Sequence, residues 1–249
     1  MKKLLFVVLT ITLFACRQDE YQTVYSASEI HRIPYGQTGT LAAGNYTGQG
    51  NLTNVAGTSV NIEGVTTIDA LSVGGDVNIP KGAVLIVNDV LNIGGGAHID
   101  VKGTLITKTL TQVGNVYLNS GYIEVNGKYT IGGGTTLYIA NSQVEVDEFV
   151  IIGHIQGIHN AVTEAANWYS LIELTGSKLL NRGGGTNVCG PVLFSDSNDN
   201  GASDAVLVDV TNEAVANNEF IKTVYGLSSE APLYQYNDNC TPLVAMPAH

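Results

Sequence analysis

Leu71-Ser72-Val73-Gly74-Gly75, Leu91-Asn92-Ile93-Gly94-Gly95, Leu110-Thr111-Gln112-Val113-Gly114 and Tyr129-Thr130-Ile131-Gly132-Gly133 begin 20, 19 and 19 positions apart. A second landmark keeps the same period. Gly82, Gly103, Gly121 and Ser142 each divide two alternating stretches, as Val77-Asn78-Ile79 before Gly82 and Val84-Leu85-Ile86 after it. Strict alternation of apolar and polar residues marks a strand with one buried face. A unit of this size cannot bury its own apolar face, so its neighbours along the chain must cover it, which is the logic of a solenoid.

At about 3.3 Å per strand residue, three short strands and their glycine-bearing corners close one coil of a three-sided β-helix. Inward residues such as Val73, Ile93, Val113 and Ile131 are expected to stack in a continuous apolar column. Asn, Thr, Ser and Asp then face outward and keep the chain soluble with only 13% charged residues. The expected fold is all-β: a right-handed parallel β-helix over residues 36–153, followed by an irregular C-terminal cap over residues 154–249. The left-handed form keeps a stricter six-residue period, which this chain lacks. A β-sandwich also uses short alternating strands, yet it gives no reason for a fixed period. The coils resemble parallel β-helix repeats in general, and distantly the polymerising bactofilin scaffolds, over roughly residues 55–153. That resemblance implies architecture and assigns no functional residue.

The amino terminus reads as an export signal. Met1-Lys2-Lys3 is basic, and Leu4 through Phe14 (LLFVVLTITLF) carries no charge. The run is too short to span a bilayer, which takes about 20 apolar residues, so it is expected to be a signal h-region. Leu13-Phe14-Ala15-Cys16 resembles a bacterial lipobox, with Phe14 in place of the usual smaller residue. The resemblance implies cleavage of residues 1–15, lipid on Cys16, and a tether over residues 16–35. Arg17-Gln18-Asp19-Glu20 resembles the acidic tag of Bacteroidota surface lipoproteins and implies an outer-membrane, surface-facing address. The plainer readings are a secretory peptide with an incidental cysteine and a solvated linker.

Charge narrows the partners. The chain has 11 basic and 22 acidic residues; removing Lys2 and Lys3 with the signal leaves a net −13. Such a charge opposes nucleic acid and anionic head groups, so membrane contact is expected through the lipid alone. With Cys16 lipidated, Cys189 and Cys240 remain, to pair as a disulfide in an oxidising compartment or to stay as buried thiols.

Asp196-Ser197-Asn198-Asp199-Asn200-Gly201-Ala202-Ser203-Asp204 is the sharpest chemical motif. Oxygen side chains of Asp196, Asn198, Asn200 and Asp204, with the Ala202 carbonyl, are spaced to wrap a calcium ion around the turn at Gly201. The loop resembles those of EF-hands and extracellular calcium repeats, but Leu207 stands where a bidentate glutamate would close it. A weak structural calcium site and an Asx-rich turn are equally compatible with this spacing. Trp168-Tyr169 and the helix-prone segment Asn160 to Trp168 read as part of an end cap.

No reaction is legible. Carboxylates in the coils are scattered (Asp76, Asp89, Asp100, Glu124, Glu145), whereas glycoside hydrolysis needs two facing a cleft. His98, His154 and His159 lack metal-binding spacing, and the glycine triplets precede no helix that would cradle phosphate. The expected function is a non-catalytic surface lipoprotein presenting a solenoid face to a polysaccharide or an outer-membrane protein. The alternative is a carbohydrate-active β-helix enzyme, a polysaccharide lyase or glycosidase. Ice binding would require a threonine ladder, and Thr104, Thr107, Thr109 and Thr111 form only a local cluster.

Overall fold

A computed structural model describes residues 24–27, 38–51, 59–158, 170–181, 188–189, 192–196, 206–207, 243 and 245–248. Among these the chain is all-β, winding through about six turns of a β-solenoid with no α-helix. Each turn supplies one long and one short strand. The long strands are β3 (Gly44–Asn51), β5 (Val65–Val73), β7 (Val84–Ile93), β9 (Thr104–Gln112), β11 (Tyr122–Ile131), β13 (Gln143–Ile151) and β15 (Ser170–Asn181). The short strands are β2 (Thr38–Leu41), β4 (Ser59–Ile62), β6 (Asp76–Ile79), β8 (His98–Val101), β10 (Asn115–Asn119), β12 (Thr136–Ala140), β14 (His154–Gly157) and β16 (Val188–Cys189). Long strands pair in parallel with long ones and short with short, in two separate sheets. β1 (Val24–Ser26) extends the long-strand sheet beside β3, while β17 (Val192–Asp196) and β18 (Val206–Leu207) both pair with β15.

Alternation explains why these strands form where they do. In β7 the inward set is Leu85, Val87, Leu91 and Ile93, each at most 1% exposed. The same registers recur in neighbouring coils as Thr66, Leu85, Leu105, Ile123, Val144 and Ile172, and as Leu71, Leu91, Leu110, Tyr129 and Phe149. The short strands add Val77, Ile99, Val116, Leu137 and Ile155 from the opposite side. Burying each such Leu, Ile or Val stabilises the fold by roughly 1.5–3 kcal/mol, so the column is the principal source of stability.

Three runs per coil are present, but their joints differ from expectation. Two corners are turns, while the third lies inside the long strand as a register irregularity, at Ile68/Leu71, Val87/Val90 and Val125/Lys128. An irregularity of this kind bends a strand without ending it, so no glycine is required there. Thr107 takes an inward position at this joint and is buried; its Oγ1 donates to the carbonyls of Asp89 (3.4 Å) and Thr109 (3.1 Å). Asp69 anchors the joint of the preceding coils, accepting from the Gly48 N–H at 2.7 Å and from Asn88 Nδ2 at 3.2 Å. The Gly48 bond, then the Asn88 bond, hold its carboxyl below the ordinary value. A depressed folded pKa stabilises the fold above the unfolded pKa, near ~3.9. That contribution disappears as pH falls through the folded value. The Asp69 carboxyl carbon, followed by NMR, is expected to titrate with a midpoint below that of a model aspartate.

Two expectations shift by one residue. Val113 does not join the apolar column; it is 50% exposed, and Gln112 sits in register with Ile93 and Ile131, fully buried. Alternation from Leu110 dictates this, since the second residue after Leu110 must face the same side as Leu110 itself. The corner column is Ala83, Gly103, Gly121 and Ser142, because the backbone bonds run from Thr104 N to Ala83 O, Tyr122 N to Gly103 O and Gln143 N to Gly121 O. Gly82 stands one position earlier and takes the left-handed φ of +86° that this turn needs.

The stack continues past Gly153. Gln143 pairs with Leu171 across a step of 28 residues, and Ile155 pairs with Val188. Asn160 to Trp168 falls within the longer step, outside the described residues. Ile158 forms an isolated parallel bridge with Leu243, returning the far end of the chain to this coil.

Candidate binding surface

In-register stacking turns each outward sequence position into a ladder with rungs ~4.8 Å apart. On the short-strand sheet one ladder runs Thr38, Ser59, Asp76, His98, Asn115, Thr136 and His154. Its neighbour runs Thr40, Asn61, Asn78, Asp100, Tyr117, Tyr138 and Gln156. These side chains bind one another. Asn78 Nδ2 donates to Ser59 Oγ (2.8 Å) and Asn61 Oδ1 (3.0 Å), His98 Nδ1 lies 2.9 Å from Asp76 Oδ1, and Asn115 Oδ1 accepts from the Thr136 N–H at 2.9 Å. Tyr117 and Tyr138 stack with ring centroids 4.9 Å apart and planes 9° off parallel, in the range worth roughly 0.5–1.5 kcal/mol beyond burial. Burial pushes the Tyr117 hydroxyl pKa up, opposed by a hydrogen bond with Asn115 and aided by Tyr138, Asp100 and Asp76 nearby. Its ring is therefore a neutral structural rung, one face closed by Tyr138.

The first half of the long-strand sheet carries a carboxylate ladder, Glu124, Glu145 and Glu173, in consecutive register. Gln143 Nε2 spans two of its rungs, donating to Glu145 Oε1 (2.8 Å) and Glu173 Oε2 (3.1 Å). Tyr122 Oη donates to Glu124 Oε2 at 3.4 Å, and burial, then Glu145, raise its pKa well above the usual phenol range.

Between the two sheets lies a groove of about 540 Å³, lined by Gly82, Lys102, Gly103, Thr104, Ser120, Gly121, Tyr122, Asn141, Ser142, Gln143 and Leu171. These belong to five successive coils, so the groove runs along the solenoid axis for about 19 Å at the coil spacing. Its floor is the turn column Gly82, Lys102, Ser120 and Asn141, each the residue before the tight corner. Ser120 (φ 55°) and Asn141 (φ 47°) hold left-handed backbone that a non-glycine residue adopts at a cost. Ser142 Oγ accepts from the Gly121 N–H (3.1 Å) and donates to the Ala140 carbonyl (2.7 Å), fixing the corner where glycine is lost. Among the described residues the side chains of Lys102, Thr104, Ser120 and Asn141 engage no partner. The sequence places lysine, serine and asparagine before the corners at Gly103, Gly121 and Ser142, and the register brings them into one row.

The chemical motifs of the sequence fall mostly elsewhere. Asp196 ends β17 in register with Leu174; Asn198, Asn200, Ala202 and Asp204 lie outside the described residues, so the loop as a whole does too. Cys189 closes β16 in register with Gln156, while Cys16 and Cys240 lie outside. Asp89 meets Lys108 at 3.5 Å in an exposed pair of little energetic weight. Among the described residues no three His, Cys, Asp or Glu side chains are grouped to hold a metal ion. The threonines occupy separate positions: Thr107 is inward, Thr104 follows Val84, Thr109 follows Val90, and Thr111 follows Asn92. Set against protein-family models, curated proteins and solved structures, the chain matches none.

Proposed function

We propose that the chain is a lipid-anchored surface protein of the bacterial outer membrane, whose solenoid presents a binding surface and carries out no reaction. The observation that supports this most is the in-register stacking itself. It converts ordinary Asn, Thr, Ser and Tyr positions into rigid rows of hydrogen-bonding groups, preorganised at no further entropic cost. The anchor reading rests on Lys2-Lys3, the apolar run to Phe14 and Cys16. The disulfide Cys189–Cys240 and a calcium ion at Asp196, Asn198, Asn200, Ala202 and Asp204 are proposed as staples of the C-terminal part.

The anchor and the binding role are tested separately. Mass spectrometry of the amino-terminal peptide is expected to find lipid on Cys16, and Cys16→Ala to shift the protein from the membrane to the soluble fraction. An unmodified Cys16 would refute the anchor. Pull-down of the lipidated protein from its own membrane separates an accessory subunit, recovered with a stoichiometric partner, from a ligand binder recovered alone. Glycan cleavage by the purified chain, lost in Asp76→Asn or His98→Ala, would instead establish the enzyme.

A further inference from the structure

We propose that the axial groove between the two sheets is the binding site, and that its ligand is an extended, uncharged polysaccharide chain lying along the solenoid. The proposal deepens the binding-module reading and depends on it.

Shape is the first argument. The groove is open, crosses five coils and follows the axis, so it fits a chain and not a compact ligand. Chemistry is the second. Lys102, Thr104, Ser120 and Asn141 bring ammonium, hydroxyl and amide groups whose hydrogen-bonding capacity is unused among the described residues, at a spacing of successive coils. On the short-strand sheet the comparable groups of Ser59, Asn61 and Asn78 are already bound to one another. A hydroxyl-rich polymer matches a row of mixed donors and acceptors.

Charge excludes a polyanion, and backbone pairing excludes an extended peptide. The Glu124, Glu145 and Glu173 ladder lies beside the Tyr122 and Gln143 wall and repels a polyanion, which a single lysine cannot hold. An extended peptide binds to sheets by pairing with a free edge, and here the corner backbone is already bonded from coil to coil, as in Thr104 N to Ala83 O and Tyr122 N to Gly103 O. Recognition must therefore come from side chains.

Affinity electrophoresis of the detergent-solubilised full chain tests this, through gels containing neutral glucans, mannans, xylans or galactans, or polygalacturonate. Retardation by at least one neutral polymer and none by polygalacturonate is expected. The double variant Lys102→Met/Asn141→Gly keeps the left-handed turn at 141. It is expected to raise Kd at least tenfold, about 1.4 kcal/mol, with an unchanged circular dichroism spectrum. Retardation unaltered in this variant but abolished by Asn78→Ala/Asp100→Ala would move the site to the short-strand sheet and overturn the proposal. Retardation by polygalacturonate alone would overturn the ligand class. If no glycan retards the chain and pull-down yields a stoichiometric protein partner, the groove assignment fails and the binding module stands; if both are negative, both fail.

Discussion

Replacing Gly103 by alanine is expected to lower stability by about 3 kcal/mol, at the upper end of overpacking effects, and Tm by roughly 6–12 °C for a chain of this size. A Cβ at this position would lie 2.2 Å from the Ala83 carbonyl oxygen and 2.5 Å from that of Pro80. Both are backbone atoms held in bonds of 3.0 Å, Thr104 N to Ala83 O and Ala83 N to Pro80 O. Neither can retreat without parting adjacent coils. Gly134→Ala is the control. Its Cβ would meet nothing within 4 Å, and the only penalty is the left-handed backbone, φ 76°, worth roughly 1–2 kcal/mol. Thermal melts followed by circular dichroism should rank the two; a Gly103→Ala melt equal to or above that of Gly134→Ala would show that the coils are not packed this closely.

The second large effect concerns a polar pair inside the apolar column. Tyr129 Oη donates to Gln112 Oε1 at 2.6 Å, both side chains fully buried, and among the described residues Gln112 Nε2 has no partner. From Val73 to Ile151 the other rungs at the Gln112 register are all aliphatic: Val73, Ile93, Ile131 and Ile151. Gln112→Ile is expected to destabilise the protein by about 1–3 kcal/mol, because it strands the Tyr129 hydroxyl in the core. Tyr129→Phe should cost a similar amount by leaving the Gln112 amide wholly unbonded. The double variant removes both polar groups and fills the column as its neighbours do. It is expected to regain wild-type stability or exceed it, giving a strongly non-additive cycle. Additive losses in denaturant melts would show that the two residues do not act as a pair.

Gln112 also shows where sequence reading succeeds and fails here. The period, the strands and the inward faces follow from alternation and the recurring glycines, because both are local and repeat in every coil. Val113 was placed inside because it is apolar, although counting from Leu110 puts Gln112 there; the geometric rule outweighs residue character. The corner was displaced for a related reason. Glycine at 82 attracts attention, yet Ala83 occupies the position stacked on Gly103. The groove was the least legible part, since its floor joins Lys102, Ser120 and Asn141 from separate coils, and only the register shows that they line up. Glu173 was hidden in the same way by the longer step before β15.

The joint inside the long strand has a consequence for how this molecule can change. Between Val87 and Val90 stand Asn88 and Asp89, between Thr107 and Thr109 only Lys108, between Val125 and Lys128 both Asn126 and Gly127, and between Val146 and Glu148 only Asp147. Adjacent coils thus differ by one residue here and recover alignment immediately afterwards. An added or deleted residue elsewhere in a strand would turn every later side chain inside out. At this hinge it is absorbed, so the lineage of such a protein can accumulate length differences at one seam while the rows on either side stay aligned.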